Sequence, residues 1–151
     1  MSKVSSTMEI LEFAIAKETE AYHFYLALAG RVDNRGMTRV LEEMAKEELE
    51  HKRKLELEIM KLGKTVSTKK KKGRPIEDYI LADKSVVLDM NYKDVLLLAI
   101  EKEDAAFRIY VNLAGTIADE QSQEVLLSLA QEEVGHKLRF QAEYDALLKE
   151  A

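Results

Sequence analysis

The chain has 151 residues, a formal net charge of −5, no cysteine and a single proline. That length predicts one domain over residues 1–151, large enough to bury a core without disulfides or a structural metal. The lack of cysteine excludes disulfides, cysteine-ligated iron or zinc, and a thiol nucleophile. The acidic balance gives no case for nucleic-acid binding, and no apolar run is long enough to span a membrane, so we expect a cytoplasmic protein.

The spacing of apolar residues predicts four helices, which would form two helical hairpins over about 7–62 and about 92–148. The helices are predicted over about 7–31, 36–62, 92–117 and 120–148. Polar residues and one glycine mark their ends: Ser6 with Glu9 as a capping box, Asn91 and Asp119 as N-terminal caps, and Gly63 as a C-terminal stop. The sequence therefore predicts an all-α fold.

Residues 63–91 connect the hairpins and differ from them in composition. They contain the only proline, the lysine run Lys69–Lys72 and a short apolar piece, Tyr79–Leu81, that predicts about one helical turn. A connection this long predicts a crossover along the bundle, because neighbouring antiparallel helices are joined by short loops. The lysine run is interpreted as a solvated loop. The alternative is a docking patch for an acidic redox partner.

The two hairpins are copies of one another at an offset of 85 residues. Between positions 8–60 and 93–145, 18 of 53 residue pairs are identical, with no gap in the alignment. A duplicated hairpin predicts a four-helix bundle whose halves are related by a pseudo-two-fold axis.

Six metal-ligating residues recur in this repeat, each within an apolar helical stripe: Glu18, Glu48, His51, Glu103, Glu133 and His136. Residues three apart share a helix face, so Glu48 with His51 can bind one ion and Glu133 with His136 a second. One such Glu-x-x-His is usually a surface pair, but two at an identical offset indicate a two-metal site. Four carboxylates balance two divalent ions. Carboxylate and imidazole ligands favour iron and also accept manganese or zinc.

Two tyrosines follow the helix 1 and helix 3 carboxylates by seven residues each. Tyr25 and Tyr110 can reach back toward the metal level, because helical side chains lean toward the N-terminus. A phenol that donates to a ligand carboxylate would fix its orientation. The alternative is a pair of ordinary core tyrosines. Other polar residues near the site are predicted to be solvated rather than functional: His23, Glu20, Glu47, Glu50 and Glu132.

These segments resemble the ferritin-like di-iron superfamily and, within it, the rubrerythrin group. The resemblance is carried by residues 14–18 with Tyr25, by 47–51, by 99–103 with Tyr110, and by 132–136. It implies a ferritin-like bundle that holds two iron ions, reacts with hydrogen peroxide or dioxygen, and forms a homodimer.

Two departures from the rubrerythrin pattern bear on the reaction. Ala106 stands where rubrerythrins carry an additional glutamate, so the ligand set is more similar to a bacterioferritin centre. The chain has no rubredoxin domain, so its electrons would come from an external donor such as a rubredoxin-like protein. Three functions stay open: an oxidoreductase acting on peroxide or dioxygen, a ferroxidase or iron-binding protein for iron handling, and a helical interaction module with an inert metal.

Overall fold

The computed structural model describes residues 3–32, 34–66 and 91–150, with side chains from residue 6 onward. Four α-helices make up these residues: α1 Lys3–Ala29, α2 Arg35–Lys61, α3 Tyr92–Thr116 and α4 Glu120–Glu150. They contain no strand, and none of the described helices is both long and apolar enough to cross a bilayer. The prediction of an all-α fold is confirmed. Residues 67–90 of the predicted crossover, with Lys69–Lys72 and the turn at Tyr79–Leu81, lie outside the described residues.

Side-chain caps start three of the helices. Each cap oxygen accepts the backbone N–H three residues on: Asn34 from Met37 at 3.0 Å, Asn91 from Asp94 at 2.9 Å, and Asp119 from Ser122 at 2.9 Å. The predicted caps at Asn91 and Asp119 are confirmed. The predicted start at Ser6 is wrong, because the residues from Lys3 onward already form helix and Ser6 lies inside α1.

Gly63 ends α2, as predicted. Its φ of 79° lies in the left-handed region, which glycine adopts without the steric penalty that a Cβ brings. The Gly63 N–H donates to the carbonyl of Met60 at 2.9 Å, and the Lys64 N–H donates to the carbonyl of Ile59 at 3.3 Å. These bonds satisfy carbonyls that the end of the helix would leave free.

The hairpins α1–α2 and α3–α4 share two buried apolar clusters. The Phe140 cluster comprises Phe24, Tyr25, Leu28, Ala29, Met37, Val40, Leu41, Met44, Ala45, Val95, Leu96, Leu98, Ala99 and Phe140. The Leu55 cluster comprises Leu11, Ala14, Leu55, Ile59, Tyr110, Ala114, Ile117, Leu126, Leu129 and Ala130. Because each cluster takes residues from both hairpins, the hairpins pack against each other along an apolar interface.

The 85-residue offset exchanges these two clusters. Leu41 of the Phe140 cluster corresponds to Leu126 of the Leu55 cluster, and Leu55 corresponds to Phe140 itself. The pseudo-two-fold axis therefore passes between the clusters. Along each helix stripe, a glutamate stands at this middle level, between residues of one cluster and residues of the other.

Candidate metal centre

Six polar side chains are buried in the layer between the two apolar clusters. Their exposed fractions are 9% or less: Glu18, Glu48, His51, Glu103, Glu133 and His136. Each helix brings its residues there by periodicity. Leu11, Glu18 and Tyr25 are seven residues apart on α1, which keeps them on one face within about 20° per step. The stripe that buries Leu11 and Tyr25 therefore carries the Glu18 carboxylate into the bundle.

The six side chains form two overlapping groups with metal-ligand spacing. One group is Glu18, Glu48, His51 and Glu133, and the other is Glu48, Glu103, Glu133 and His136. Within each group, one potential ligand atom per residue lies within 4.8 Å of all the others. Glu48 and Glu133 belong to both groups, so the arrangement offers two adjacent four-ligand positions that share two carboxylates.

The two shared carboxylates reach both histidines. Glu48 Oε2 lies 3.7 Å from His51 Nδ1, and Glu48 Oε1 lies 3.5 Å from His136 Nδ1. Glu133 Oε1 lies 3.0 Å from His51 Nδ1 and 3.9 Å from His136 Nδ1. The sequence assigned one Glu-x-x-His pair to each ion. The structure adds that each of these glutamates also reaches the histidine of the other hairpin.

The remaining two carboxylates each face one histidine. Glu18 Oε2 lies 3.5 Å from His51 Nδ1, and Glu103 Oε2 lies 3.5 Å from His136 Nδ1. The histidine rings lie parallel, with centroids 5.8 Å apart and an interplanar angle of 3°. Both Nδ1 atoms therefore point into the same small volume as the four carboxylates.

Unsatisfied atoms show that this group of residues fits metal ions. One buried ligand atom of each of the six residues lacks a hydrogen-bond partner among the described residues: Glu18 Oε2, Glu48 Oε1, His51 Nδ1, Glu103 Oε2, Glu133 Oε1 and His136 Nδ1. Leaving a buried polar atom without a partner costs about 1–3 kcal/mol, and more for a charged one. Cations between these atoms would satisfy all six at once.

Two of the four carboxyl groups, those of Glu18 and Glu133, resist ionisation in the absence of a cation. Burial and the neighbouring Glu48 carboxyl raise the pKa of Glu18 to about 9. Burial and the neighbouring Glu103 carboxyl raise the pKa of Glu133 to about 12. Burial alone would also raise the pKa of Glu48, but its close contacts with Glu18 and with the two histidines outweigh burial and hold that pKa below its usual range. Cations that bind here would take the place of the retained protons.

The same carboxylates act on the histidines in the opposite direction. Burial lowers the pKa of His136, but its close contacts with the carboxyl groups of Glu103 and Glu48 outweigh burial and raise the pKa to about 10. The pKa of His51 is raised further, since Glu133, Glu18 and Glu48 all contact its ring. The field inside the layer is therefore strongly favourable to positive charge.

Outside the layer, a carboxylate from the other hairpin contacts each histidine. His51 Nε2 lies 3.0 Å from Glu132 Oε2, and His136 Nε2 contacts Glu47 Oε2. A carboxylate on the outer nitrogen fixes the orientation of a ligating imidazole and strengthens it as a donor. Both side chains stay partly exposed, at 45% for Glu47 and 42% for Glu132, but the sequence did not predict that each contacts a histidine of the layer. Each directly precedes a candidate ligand, Glu48 or Glu133, and recurs at the 85-residue offset, and that repetition was the available signal.

Both tyrosines lie at the carboxylates that face a single histidine. Tyr25 Oη donates a hydrogen bond to Glu103 Oε1 at 2.7 Å, and Tyr110 Oη donates to Glu18 Oε1. Each phenol therefore supports the glutamate of the opposite hairpin, not the one in its own helix. Burial and the charge of Glu103 raise the pKa of Tyr25 well above its usual value, so the hydroxyl keeps its proton and remains a donor.

The other polar residues weighed from the sequence lie apart from this layer. His23 is partly buried and belongs to neither ligand group. Glu20 and Glu50 are exposed, as predicted. Ala106, one turn after Glu103 on α3, offers no ligand atom.

Solved structures share this fold at low sequence identity. A bacterioferritin from Desulfovibrio desulfuricans, whose di-iron site is described in different catalytic states, matches with a TM-score of 0.75 at 18% identity, over 97% of this chain and 82% of that chain. A bacterioferritin-related protein from Bacteroides fragilis, described as a dodecameric thioferritin, matches with a TM-score of 0.72 at 18% identity, over 97% and 88%. A hypothetical protein from Pyrococcus furiosus matches with a TM-score of 0.65 at 23% identity, over 99% and 92%.

The sequence itself also matches a family profile. No curated protein matches the chain. The Rubrerythrin profile, however, covers residues 9–144, which include all six candidate ligands and both tyrosines. Together with the ferritin-like bundle, this match shows that the chain belongs to the rubrerythrin family.

Proposed function

We propose that the buried layer holds two iron ions and that the protein reduces hydrogen peroxide or dioxygen with electrons from an external donor. The observation that carries this proposal is the pair of overlapping ligand groups that share Glu48 and Glu133. Shared carboxylates would hold two ions side by side, which is the arrangement that a two-electron reduction at one site needs.

The donor set supports iron. Four carboxylates and two imidazoles are hard to borderline ligands, and their total charge of about −4 balances two divalent ions. Carboxylates also tolerate a rise in metal charge, because they change between terminal and shared binding at little cost. Manganese or zinc would be accepted by the same residues, so the identity of the metal is part of the test.

The chain's own residues would position and insulate the centre. Two ferrous ions bound there would supply the two electrons that, with two protons, convert one hydrogen peroxide into two waters. Tyr25 and Tyr110 hold the carboxylates of Glu103 and Glu18 in place through their hydroxyl protons. The Phe140 and Leu55 clusters lie on either side of the layer, and the burial of its six side chains strengthens the electrostatic interactions inside.

We propose that the electrons for repeated turnover come from a donor outside these 151 residues. The 151 residues contain no cysteine, so they cannot form a cysteine-ligated iron centre for electron entry. A rubredoxin-like protein is the donor we propose.

A second candidate is iron oxidation for iron handling, with iron as the substrate. Two observations favour it: Ala106 leaves a six-ligand set, and the fold is similar to a bacterioferritin and to a dodecameric thioferritin. We also propose that the chain forms a homodimer. Storage inside a shell would need a larger hollow assembly, so sedimentation analysis separates a dimer from such a shell.

Anaerobic loading with ferrous iron, followed by parallel stopped-flow mixing with peroxide and with oxygen, tests the proposal. We expect rapid loss of ferrous iron with peroxide or oxygen, and repeated turnover when a reduced rubredoxin-like donor is present. Single oxidation with progressive uptake of ferric iron would favour iron handling. A loaded protein that reacts no faster than the double variant Glu48→Ala, Glu133→Ala contradicts both, and retention of unreactive zinc would favour an inert-metal module.

A further inference from the structure

The residues that surround the outer nitrogens of the two histidines differ between the two hairpins. Inside the layer, each ligand and its counterpart 85 residues later are identical. One step outward, the counterpart of Lys54 is Arg139, and the counterpart of Glu43 is Ser128. At these positions, the cation one turn after each histidine and the residue one turn before each outer glutamate differ between the two halves.

On the His51 side, the outer carboxylate is shared with a lysine. Lys54 Nζ lies 3.3 and 3.4 Å from the two oxygens of Glu132, and Glu132 Oε2 lies 3.0 Å from His51 Nε2. Lys54 stands one turn after His51 on α2, so a single helix presents both groups to this carboxylate. The charge of Lys54 therefore offsets that of Glu132 beside the His51 ring.

On the His136 side, the corresponding cation, Arg139, pairs with a different carboxylate, that of Glu43. Arg139 stands one turn after His136 on α4, but its Nη2 lies 3.0 Å from Glu43 Oε2. Glu47, which contacts His136, has no lysine or arginine within 4.0 Å among the described residues. The cause lies one turn earlier on α2, where Glu43 offers a carboxylate. Ser128, at the equivalent place on α4, has no charge to draw Lys54 from Glu132.

These contacts therefore leave different net charges beside the two histidine rings. On the His51 side, Lys54 and Glu132 sum to zero. On the His136 side, Arg139 and Glu43 sum to zero, which leaves the full negative charge of Glu47 beside the ring. That additional charge favours a divalent ion bound by His136. An imidazole is also the stronger donor when the carboxylate on its outer nitrogen is not paired with a lysine or arginine.

We propose that these outer charged residues (the outer layer: Lys54, Glu132, Glu47, Arg139 and Glu43) make the two metal positions unequal. The position at His136 then binds a divalent ion more tightly and fills first. Lys54 and Glu43 are the positioning residues that set the difference. The inference rests on the two-metal centre of the proposed function and is independent of the reaction performed there.

Anaerobic titration of the metal-free protein with Co²⁺, followed by visible absorption and calorimetry, tests the order of filling. We expect two binding steps whose constants differ by more than the statistical ratio of two equal sites. The variant His136→Ala should lose the tighter step, and His51→Ala should lose the weaker one.

Two outer-layer variants should reduce the difference between the two binding constants, one by strengthening the weaker step and the other by weakening the tighter step. Lys54→Gln removes the cation that pairs with Glu132 and should raise the association constant of the weaker step roughly threefold to tenfold. The lower end of that range reflects solvent screening of an exposed ion pair. Glu43→Ser places at this position the residue of its counterpart and frees Arg139 for Glu47. It should weaken the tighter step by a similar factor.

Lys61→Gln is the matched control. It removes the same charge from α2 seven residues, or about 10 Å, further along the helix, where Lys61 pairs with Glu58 at 3.1 Å. Circular dichroism checks that every variant keeps its helices. Two equal steps in the unaltered protein, or shifts in both outer-layer variants no larger than that of Lys61→Gln, overturn the inference and leave the proposed function intact. A protein that binds no Co²⁺ contradicts the proposed function itself.

Discussion

The central polar layer and the two apolar clusters come from the same repeat, yet the two copies agree more strictly in the layer than in the clusters. In the polar layer, and at the two tyrosines that donate to it, the two copies carry identical residues: Glu18 and Glu103, Glu48 and Glu133, His51 and His136, and Tyr25 and Tyr110. In the clusters, some pairs are identical, as with Leu41 and Leu126, but others keep only apolar character, as with Met44 and Leu129 or Leu55 and Phe140. Packing accepts apolar residues of suitable size, whereas ligation needs particular atoms at particular places.

The largest expected effect distinguishes shared from unshared carboxylates within the polar layer. Glu48→Ala should weaken binding of both ions by more than about 100-fold, because Glu48 reaches both histidines. Glu18→Ala should abolish one ion and retain the other, since Glu18 belongs to a single group. Elemental analysis after equilibrium dialysis gives the number of ions bound. Loss of only one ion in Glu48→Ala would show that this carboxylate is not shared.

Substitutions in the apolar clusters should change stability while leaving the centre able to bind metal. Leu55 is fully buried, so Leu55→Ala should lower the free energy of unfolding by about 2–5 kcal/mol. Met44→Leu, which copies the residue at its counterpart Leu129, should cost less than about 1.5 kcal/mol. Urea denaturation of the metal-free proteins measures both values. If Leu55→Ala lost metal stoichiometry while it remained folded, the separation between packing and ligation would be wrong.

Loss of the phenol that supports Glu103 should weaken metal binding without preventing it. Tyr25→Phe removes the hydrogen bond to Glu103 Oε1 and should reduce affinity for Co²⁺ by about tenfold. Tyr92→Phe is the matched control, because Tyr92 donates a similar bond of 2.8 Å to Glu143, outside the ligand groups. Calorimetric titration compares the two variants. Equal effects would assign Tyr25 a role in packing alone.

The smallest expected effect lies at a helix start outside both regions. Asp119→Ala should lower the free energy of unfolding by about 1 kcal/mol at neutral pH, since it removes the cap of α4. The hydroxyl and N–H of Ser122 lower the pKa of Asp119 in the folded state. This stabilisation is therefore complete above the usual aspartate pKa of about 3.9 and is lost as the pH falls through the lower folded value.

Chemical denaturation of metal-free protein at neutral and acidic pH measures this cap. The difference between the unaltered protein and Asp119→Ala should shrink on acidification. A difference that persists or grows in acid would show that the carboxylate is not the capping group.

Helical periodicity explains why the sequence predicted so much of the centre. The seven-residue and three-residue spacings fix which residues share a face of one helix, and the 85-residue repeat identified the same positions twice. Those local rules were enough to place the six candidate ligands in one layer. The same rules predicted the caps at Asn91 and Asp119, whose hydrogen bonds span only three residues.

Contacts between hairpins were beyond those rules. The rotation of α2 against α4 brings Glu47 and Glu132 to the histidines, and that rotation depends on how both clusters pack. The hydrogen bond from each tyrosine to the glutamate of the other hairpin has the same origin. Sequence spacing relates Tyr25 only to Glu18, in its own helix. The start of α1 was missed for a different reason, since serine is common both as a cap and inside the first turns of a helix.

The most direct test of the central claim is the number of ferrous ions that one chain binds under anaerobic conditions. Two ions per chain are expected for the unaltered protein, and none at the same concentration for the double variant Glu48→Ala, Glu133→Ala. A single ion in the unaltered protein, or two ions that persist in the double variant, would contradict a two-metal centre built on these shared carboxylates.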